Sequence, residues 1–324
     1  MTLRHTLTVA AALLSLGASA SFAAQASKVN SVDVMDAALD MKRAEELADK
    51  LAPDGARYCR WGISSLDASD LEVAISRFLL NHGTRVPDYV PASKMWHVSS
   101  VVDNMVHQLA VGMAQCDVDL RFSANARSVA VSASSILSKL TATREKFDLL
   151  AYQQTQWQED GNSQNQREDY SRNLPDTGQV ASSKVLSAAR DLKQASEVAA
   201  KITNDVAKTK GCRHTDVGPP EVTYLTELVE HLEHAQHLPS YVPASNMWGV
   251  RYEVLTAQLV ILTTMESCTY YASEKKQARN KATEALQAYH GLTATIAAFD
   301  SLALQQTEWE EQRIDKQDAV VKEQ

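Results

Sequence analysis

Tyr89-Val90-Pro91-Ala92-Ser93-Lys94-Met95-Trp96 returns 152 positions later as Tyr241-Val242-Pro243-Ala244-Ser245-Asn246-Met247-Trp248, with seven of the eight residues unchanged. The echo predicts that the chain is two copies of one unit, and it sets the register for comparing them. Working outward from it, Phe147–Glu159 and Phe299–Glu311 agree at nine of thirteen positions. Upstream, the stripe Val34, Ala37, Met41, Ala44, Ala48, Leu51 is matched by Val185, Ala188, Leu192, Ala195, Ala199, Ile202. Alternating steps of three and four place each set on one helix face. The many alanines imply close approach between helices.

Each copy is expected to hold four helices. The first spans about Ser31–Leu51, where Pro53 is expected to end it. The second spans about Ser69–His82, or Pro219–Gln236 in the second copy. Pro219 and Pro220 suit a first turn, where a missing N–H costs nothing. The third starts at Ser93 or Ser245, the expected N-caps. It carries Val98, Val102, Met105, Leu109, Met113, Cys116, or Val250, Val254, Ala257, Ile261, Met265, Cys268. The fourth runs from about Ser123 to Glu159, or from Ser273 into the tail, where Arg313–Gln324 is expected to fray. Phe147, Leu150, Gln154 and Trp157 share one face, as do Phe299, Leu302, Gln306 and Trp309. With short connections, the fold class is all-α: two tandem up-down-up-down four-helix bundles from an internal duplication. A period near 152 is too long for a helical solenoid. The units are 1–26, a signal peptide; 27–160, the first repeat; 161–179, a polar linker; and 180–324, the second repeat. The repeats are expected to stand as separate domains.

Residues 1–26 begin with Arg4 and His5, continue with an apolar run from Leu7 to Leu16, and end in small residues. That is the pattern of a secretory leader, too short to span a bilayer. The expectation is an exported, soluble protein, periplasmic or secreted. Among 324 residues there are 32 Lys and Arg against 40 Asp and Glu, a net charge of −8. An acidic chain is a poor partner for nucleic acid or an anionic membrane.

Four cysteines in an exported chain suggest disulfides. In an up-down bundle the start of the second helix and the end of the third share a pole. The expected pairs are therefore Cys59–Cys116 and Cys212–Cys268, one per copy, rather than a reactive C-x-x-C pair.

The opposite pole is the candidate binding site: Tyr89, Trp96, Gln154 and Trp157 in one copy, Tyr241, Trp248, Gln306 and Trp309 in the other. Trp96 is expected to converge with Trp157, and Trp248 with Trp309. A Gln on an apolar stripe must find partners if buried. As a plug, each Gln bonds backbone and the indoles close the bundle end. As a pocket, the amide and aromatic wall would receive a peptide, a sugar or a flat small molecule. His231, His234 and His237 lie three apart with Glu230 and Glu233 beside them, so neighbours could share a metal ion. Each step of three turns the helix by about −60°, so all three cannot share a face. The solvated-face reading is preferred.

Several patterns are missing from the sequence: C-x-x-C-H, E-x-x-H, H-E-x-x-H, G-x-S-x-G and a phosphate-cradling glycine loop. Ser273-x-x-Lys276 lacks its companion motifs. The chain is therefore expected to be non-catalytic and without a cofactor. Its expected role is an interaction module whose partner is another envelope or secreted protein, and two copies would add avidity. The alternative is a small-molecule or metal carrier using the aromatic pole or the histidine helix.

Overall fold

A computed structural model describes residues 27–59, 90–119, 124–165, 178–206, 208–209, 212, 222–272 and 276–323. Within them the chain is all-helical, without a strand and with two disulfides. Seven helices are described: α1 (Ser31–Tyr58), α2 (Ala92–Asp119), α3 (Ala124–Asn165), α4 (Ser182–Val206), α5 (Thr223–His234), α6 (Ala244–Ala272) and α7 (Lys276–Glu323). The leader at 1–26, the expected helix at Ser69–His82, Tyr89, positions 166–177 of the linker, and Pro219–Pro220 lie outside the described residues.

The apolar stripes form the core as their spacing requires. Val34, Ala37, Met41, Ala44 and Ala48 of α1 are buried, as are Val185, Leu192 and Ala199 of α4. So are Val98, Val102, Met105 and Leu109 of α2, and Val250, Val254, Ala257 and Ile261 of α6. Phe147 and Phe299 are fully enclosed. Burying such a side chain stabilises the fold by about 1.5–3 kcal/mol.

Hydrogen bonds and close pairs fix the helix directions. Trp96–Thr155, Ser99–Asp148 and Asp103–Arg144 run α2 antiparallel to α3. Trp248–Thr307, Arg251–Asp300 and Gln258–Thr293 do the same for α6 and α7. Val29–Gln154, with Cys59 Sγ 4.0 Å from the Ala126 carbonyl oxygen, sets α1 antiparallel to α3. Val180–Gln306 and Asp205–Lys281 set α4 antiparallel to α7.

Several boundaries differ from expectation. Helix α1 passes through Pro53 to Tyr58. Pro53 is exposed, so its missing N–H and the carbonyl it leaves free face water, while Ala52, Gly55 and Cys59 hold the inner face down. Helix α3 continues to Asn165, so the first residues of the expected linker are helical. Helix α7 persists to Glu323, where fraying was expected. Helix α5 spans Thr223–His234, inside the expected Pro219–Gln236. Gly178 takes a φ of +110°, a left-handed turn that a side chain would strain, with Trp309 packed over it. The disulfides are Cys59–Cys116 and Cys212–Cys268, the pairs the pole argument selects.

The two halves also pack on each other. Among the described residues, helix α1 packs on α2 and α3, and α4 on α5, α6 and α7. Between them, α2 and α3 of the first half pack directly on α6 and α7 of the second. One buried cluster holds Val98, Leu109 and Phe147 together with Val250, Ile261 and Phe299. Helices α2, α3, α6 and α7 thus each bury a second stripe that isolated bundles would leave in water.

Candidate functional site

Trp96 and Trp248 of the expected aromatic pole lie at this seam. Trp96 stacks face to face on Trp248 of the other half, with ring centroids 3.8 Å apart and planes 7° from parallel. The expected convergence is within each copy, Trp96 with Trp157 and Trp248 with Trp309; the stack adds a contact between the copies. Both indoles lie on inward faces of α2 and α6, and those helices oppose each other across the seam. Each indole N–H donates to a threonine, Trp96 to Thr155 at 3.0 Å and Trp248 to Thr307 at 2.9 Å. Each threonine hydroxyl donates one turn back, to the Ala151 or Ala303 carbonyl. Trp309 packs against Tyr241 at 5.3 Å, under the Arg313 guanidinium at 4.6 Å. Trp157 is half-buried.

Gln154 and Gln306 are enclosed, 1% and 0% exposed. Gln154 Oε1 accepts from the Val29 N–H and Gln306 Oε1 from the Val180 N–H, both at 3.0 Å. The backbone they hold is the segment entering α1 and α4, not the Tyr-Val-Pro loop. Gln306 Nε2 also donates to Glu310 at 3.1 Å. Gln154 Nε2 is buried without a hydrogen-bond partner.

Ser93 and Ser245 are not N-caps. The Pro91 and Pro243 carbonyls begin the helical ladders, so each serine sits inside the first turn. Its N–H is then one of the orphan donors of a helix start. Glu311 of the second half accepts from Ser93 N–H at 2.9 Å and from its hydroxyl. Glu159 of the first half accepts from Ser245 N–H at 2.7 Å and from its hydroxyl. Each half therefore supplies the anion for the other's helix N-terminus, where a carboxylate is favoured. Glu253 does the same for α5, accepting from the Tyr224 and Leu225 N–H groups at 3.0 Å each.

Further along the seam lies a buried charge network. Arg144 clasps Asp103 with both terminal nitrogens, and Arg251 reaches Asp103 across the seam. Arg251 Nε donates to Asp300 at 2.7 Å. Asp148 accepts from the Ser99 hydroxyl and lies 3.3 Å from Arg144 Nε. Two guanidiniums face three carboxylates. Burial alone would raise Asp103, but Arg144 and Arg251 hold it below the usual carboxylate range. Burial raises Asp148 despite Arg144. It raises Asp300 to about 6 despite Arg251.

The signal for these residues was present but is easily overlooked. Glu159 and Glu311 sit in the matching thirteen-residue stretches. Trp96, Ser99 and Asp103 are spaced by three and four, as are Arg144, Asp148 and Thr155 when Ala151 is included. That is a second helical stripe on the same helices, polar enough to read as surface.

His231, His234 and His237 do not form a ligand cluster. His231, His234 and His237 are exposed, and His234 Nδ1 lies 2.8 Å from the Glu230 carbonyl oxygen. Among the described residues no group of three or more His, Cys, Asp or Glu is placed to hold a metal ion. His107 and His290 meet across the seam at 5.2 Å, beside Tyr289, as two ligands only. Among the described residues no helix is long and apolar enough to cross a membrane.

Comparison with protein-family models, curated proteins and solved structures finds no match for the chain.

Proposed function

We propose that this is an exported, non-catalytic helical protein that acts by binding another envelope or secreted protein. On this reading residues 1–26 are a signal peptide and the mature chain is periplasmic or secreted. It consists of two duplicated four-helix units, 27–160 and 180–324, joined through 161–179 and by the seam. The observation that carries the proposal is that most of the buried polar groups of the aromatic pole are bonded within the chain, Gln154 Nε2 excepted. The Trp96 and Trp248 indole N–H groups, both Gln carbonyl oxygens and both Ser hydroxyls have partners within the chain. This favours the plug over the pocket. It leaves recognition to the outer helix faces, and favours a protein partner over a small-molecule or metal carrier.

Those faces include exposed apolar groups where α3, α5 and α6 meet. Tyr224 is 54% exposed, Tyr252 44% and Leu149 of α3 45%. A β-carbon added at Gly249 of α6 would touch the Tyr224 ring at 3.5 Å and the Tyr152 hydroxyl at 3.7 Å, so these two tyrosines flank that glycine. Exposed tyrosines combine apolar area with a polar tip, the usual interface chemistry. The test is cross-linked capture from envelope extracts with wild type and with Tyr224→Ala/Tyr252→Ala. A specific partner lost in the double variant supports the proposal. A thermal-shift response to a metal, sugar or peptide that Gln154→Ala or Gln306→Ala abolishes would favour the carrier.

A further inference from the structure

The two helix starts at the seam share one plan but differ in charge, with Lys94 against Asn246 in the first turn and Gln158 against Glu310 beside the capping carboxylate. At α2, Glu311 binds Ser93, and Gln158 Nε2 donates to Glu311 at 3.1 Å. At α6, Glu159 binds Ser245, and the residue 152 positions after Gln158 is Glu310. Glu310 Oε1 accepts from the Ala244 N–H and from Gln306 Nε2, both at 3.1 Å. Glu159 and Glu310, from the two halves, thus accept from consecutive backbone N–H groups of one helix start, Ser245 at 2.7 Å and Ala244 at 3.1 Å. Two ionised carboxylates held that close repel each other, so one proton shared by the pair is favoured.

We propose that the Glu159–Glu310 pair is a proton-operated latch between the two halves, closed while the pair shares a proton and loosened when that proton leaves. Glu159 ends the run of α3 that caps α6, and Glu310 lies on α7, so the shared proton ties the first half to the second. Glu310 is nearly enclosed, 7% exposed. The groups around the pair do not offset a second negative charge. Helix α3 brings Glu159 and Asp160, and α7 brings Glu310 and Glu311 with the neutral Gln306. The first turn of α6, Ala244-Ser245-Asn246-Met247, has no charged side chain. Its positive helix end amounts to about half a charge. Arg313, one turn along α7, is committed to the Trp309 ring. Burial and Glu159 together push Glu310 up to about 8. The folded state therefore holds a proton that the unfolded chain releases near pH ~4.5. Stability from the latch is full below that value and falls as pH rises to about 8.

The experiment is thermal unfolding of the full chain from about pH 5 to about pH 9, for wild type, Glu310→Gln, Glu159→Gln and Gln158→Glu. Amide exchange at Ala244 and Ser245 is followed in parallel. Glu310→Gln reproduces the Gln158 arrangement, so its melting temperature is expected to pull ahead of wild type as pH rises. Its Ala244 and Ser245 amides are expected to gain protection over wild type at the alkaline end. Gln158→Glu builds a second acid pair with Glu311 and is expected to fall faster than wild type. If Glu310→Gln does not fold, Glu159→Gln breaks the same pair while leaving an oxygen to accept from Ser245. Melting curves for these variants that stay parallel to wild type across the range overturn the latch.

Discussion

Arg251→Met tests whether the charge network holds the halves together. Arg251 is 1% exposed and joins Asp103 of the first half to Asp300 of its own. Methionine retains much of the aliphatic volume, so the loss is one of charge rather than packing. Asp103 keeps Arg144, but Asp300 loses its ion-pair partner. Removing one member of a buried pair costs about 3–5 kcal/mol, because the other is left uncompensated. For chains this large each kcal/mol moves the melting temperature by about 2–4 °C, so a fall of about 6–20 °C is expected. The loss also depends on pH. Burial already lifts Asp300 to about 6 with Arg251 present, and without it the carboxyl rises further. A folded pKa above the unfolded value gives stability that is full at low pH and lost as pH rises. The deficit against wild type is thus expected to be small near pH ~5 and large near pH ~8. Calorimetry at both values reads it directly. Adding Asp300→Leu should recover much of the loss, since an apolar replacement of a whole buried pair is often neutral or stabilising. A deficit below about 1 kcal/mol at both pH values, or a double variant whose losses simply add, would refute the reasoning.

Replacing Cys59 and Cys116 by serine, or Cys212 and Cys268, should each cost about 4 kcal/mol for loops of 57 and 56 residues, read as a shift in denaturant midpoint. Non-reducing peptide mapping that found a bond between the halves would sink this assignment. Gln154→Ala and Gln306→Ala should each cost about 1–3 kcal/mol from the N–H left unpaired. The loss should be greater at Gln306, whose amide also serves Glu310, and an unchanged melt at either site would contradict the plug. A fragment of residues 27–165 exposes Trp96 and leaves the Ser93 N–H without Glu311. It should self-associate or melt well below the full chain, and a monomer as stable as the whole protein would disprove the shared core.

The sequence by itself determined the helices, their inward faces and the disulfide pairs. Those features are periodic or local: a 3–4 spacing commits one face of a helix, and the direction of each helix commits its cysteine to a pole. It also marked Gln154 and Gln306 as groups needing partners, because leaving a buried amide unpaired is costly. Only the tertiary structure decided what lay beyond each stripe. Trp96 reads equally well as a plug for its own bundle or as a stacking surface for Trp248, since both uses need the same indole at the same helical position. Ser93 reads as an N-cap, but Glu311, 218 residues away, is what neutralises that helix start. Asp103, Arg144 and Arg251 look like solvated charges one by one. Only the approach of α2 and α3 to α6 and α7 brings opposite signs within hydrogen-bond reach and removes the water that would otherwise screen them.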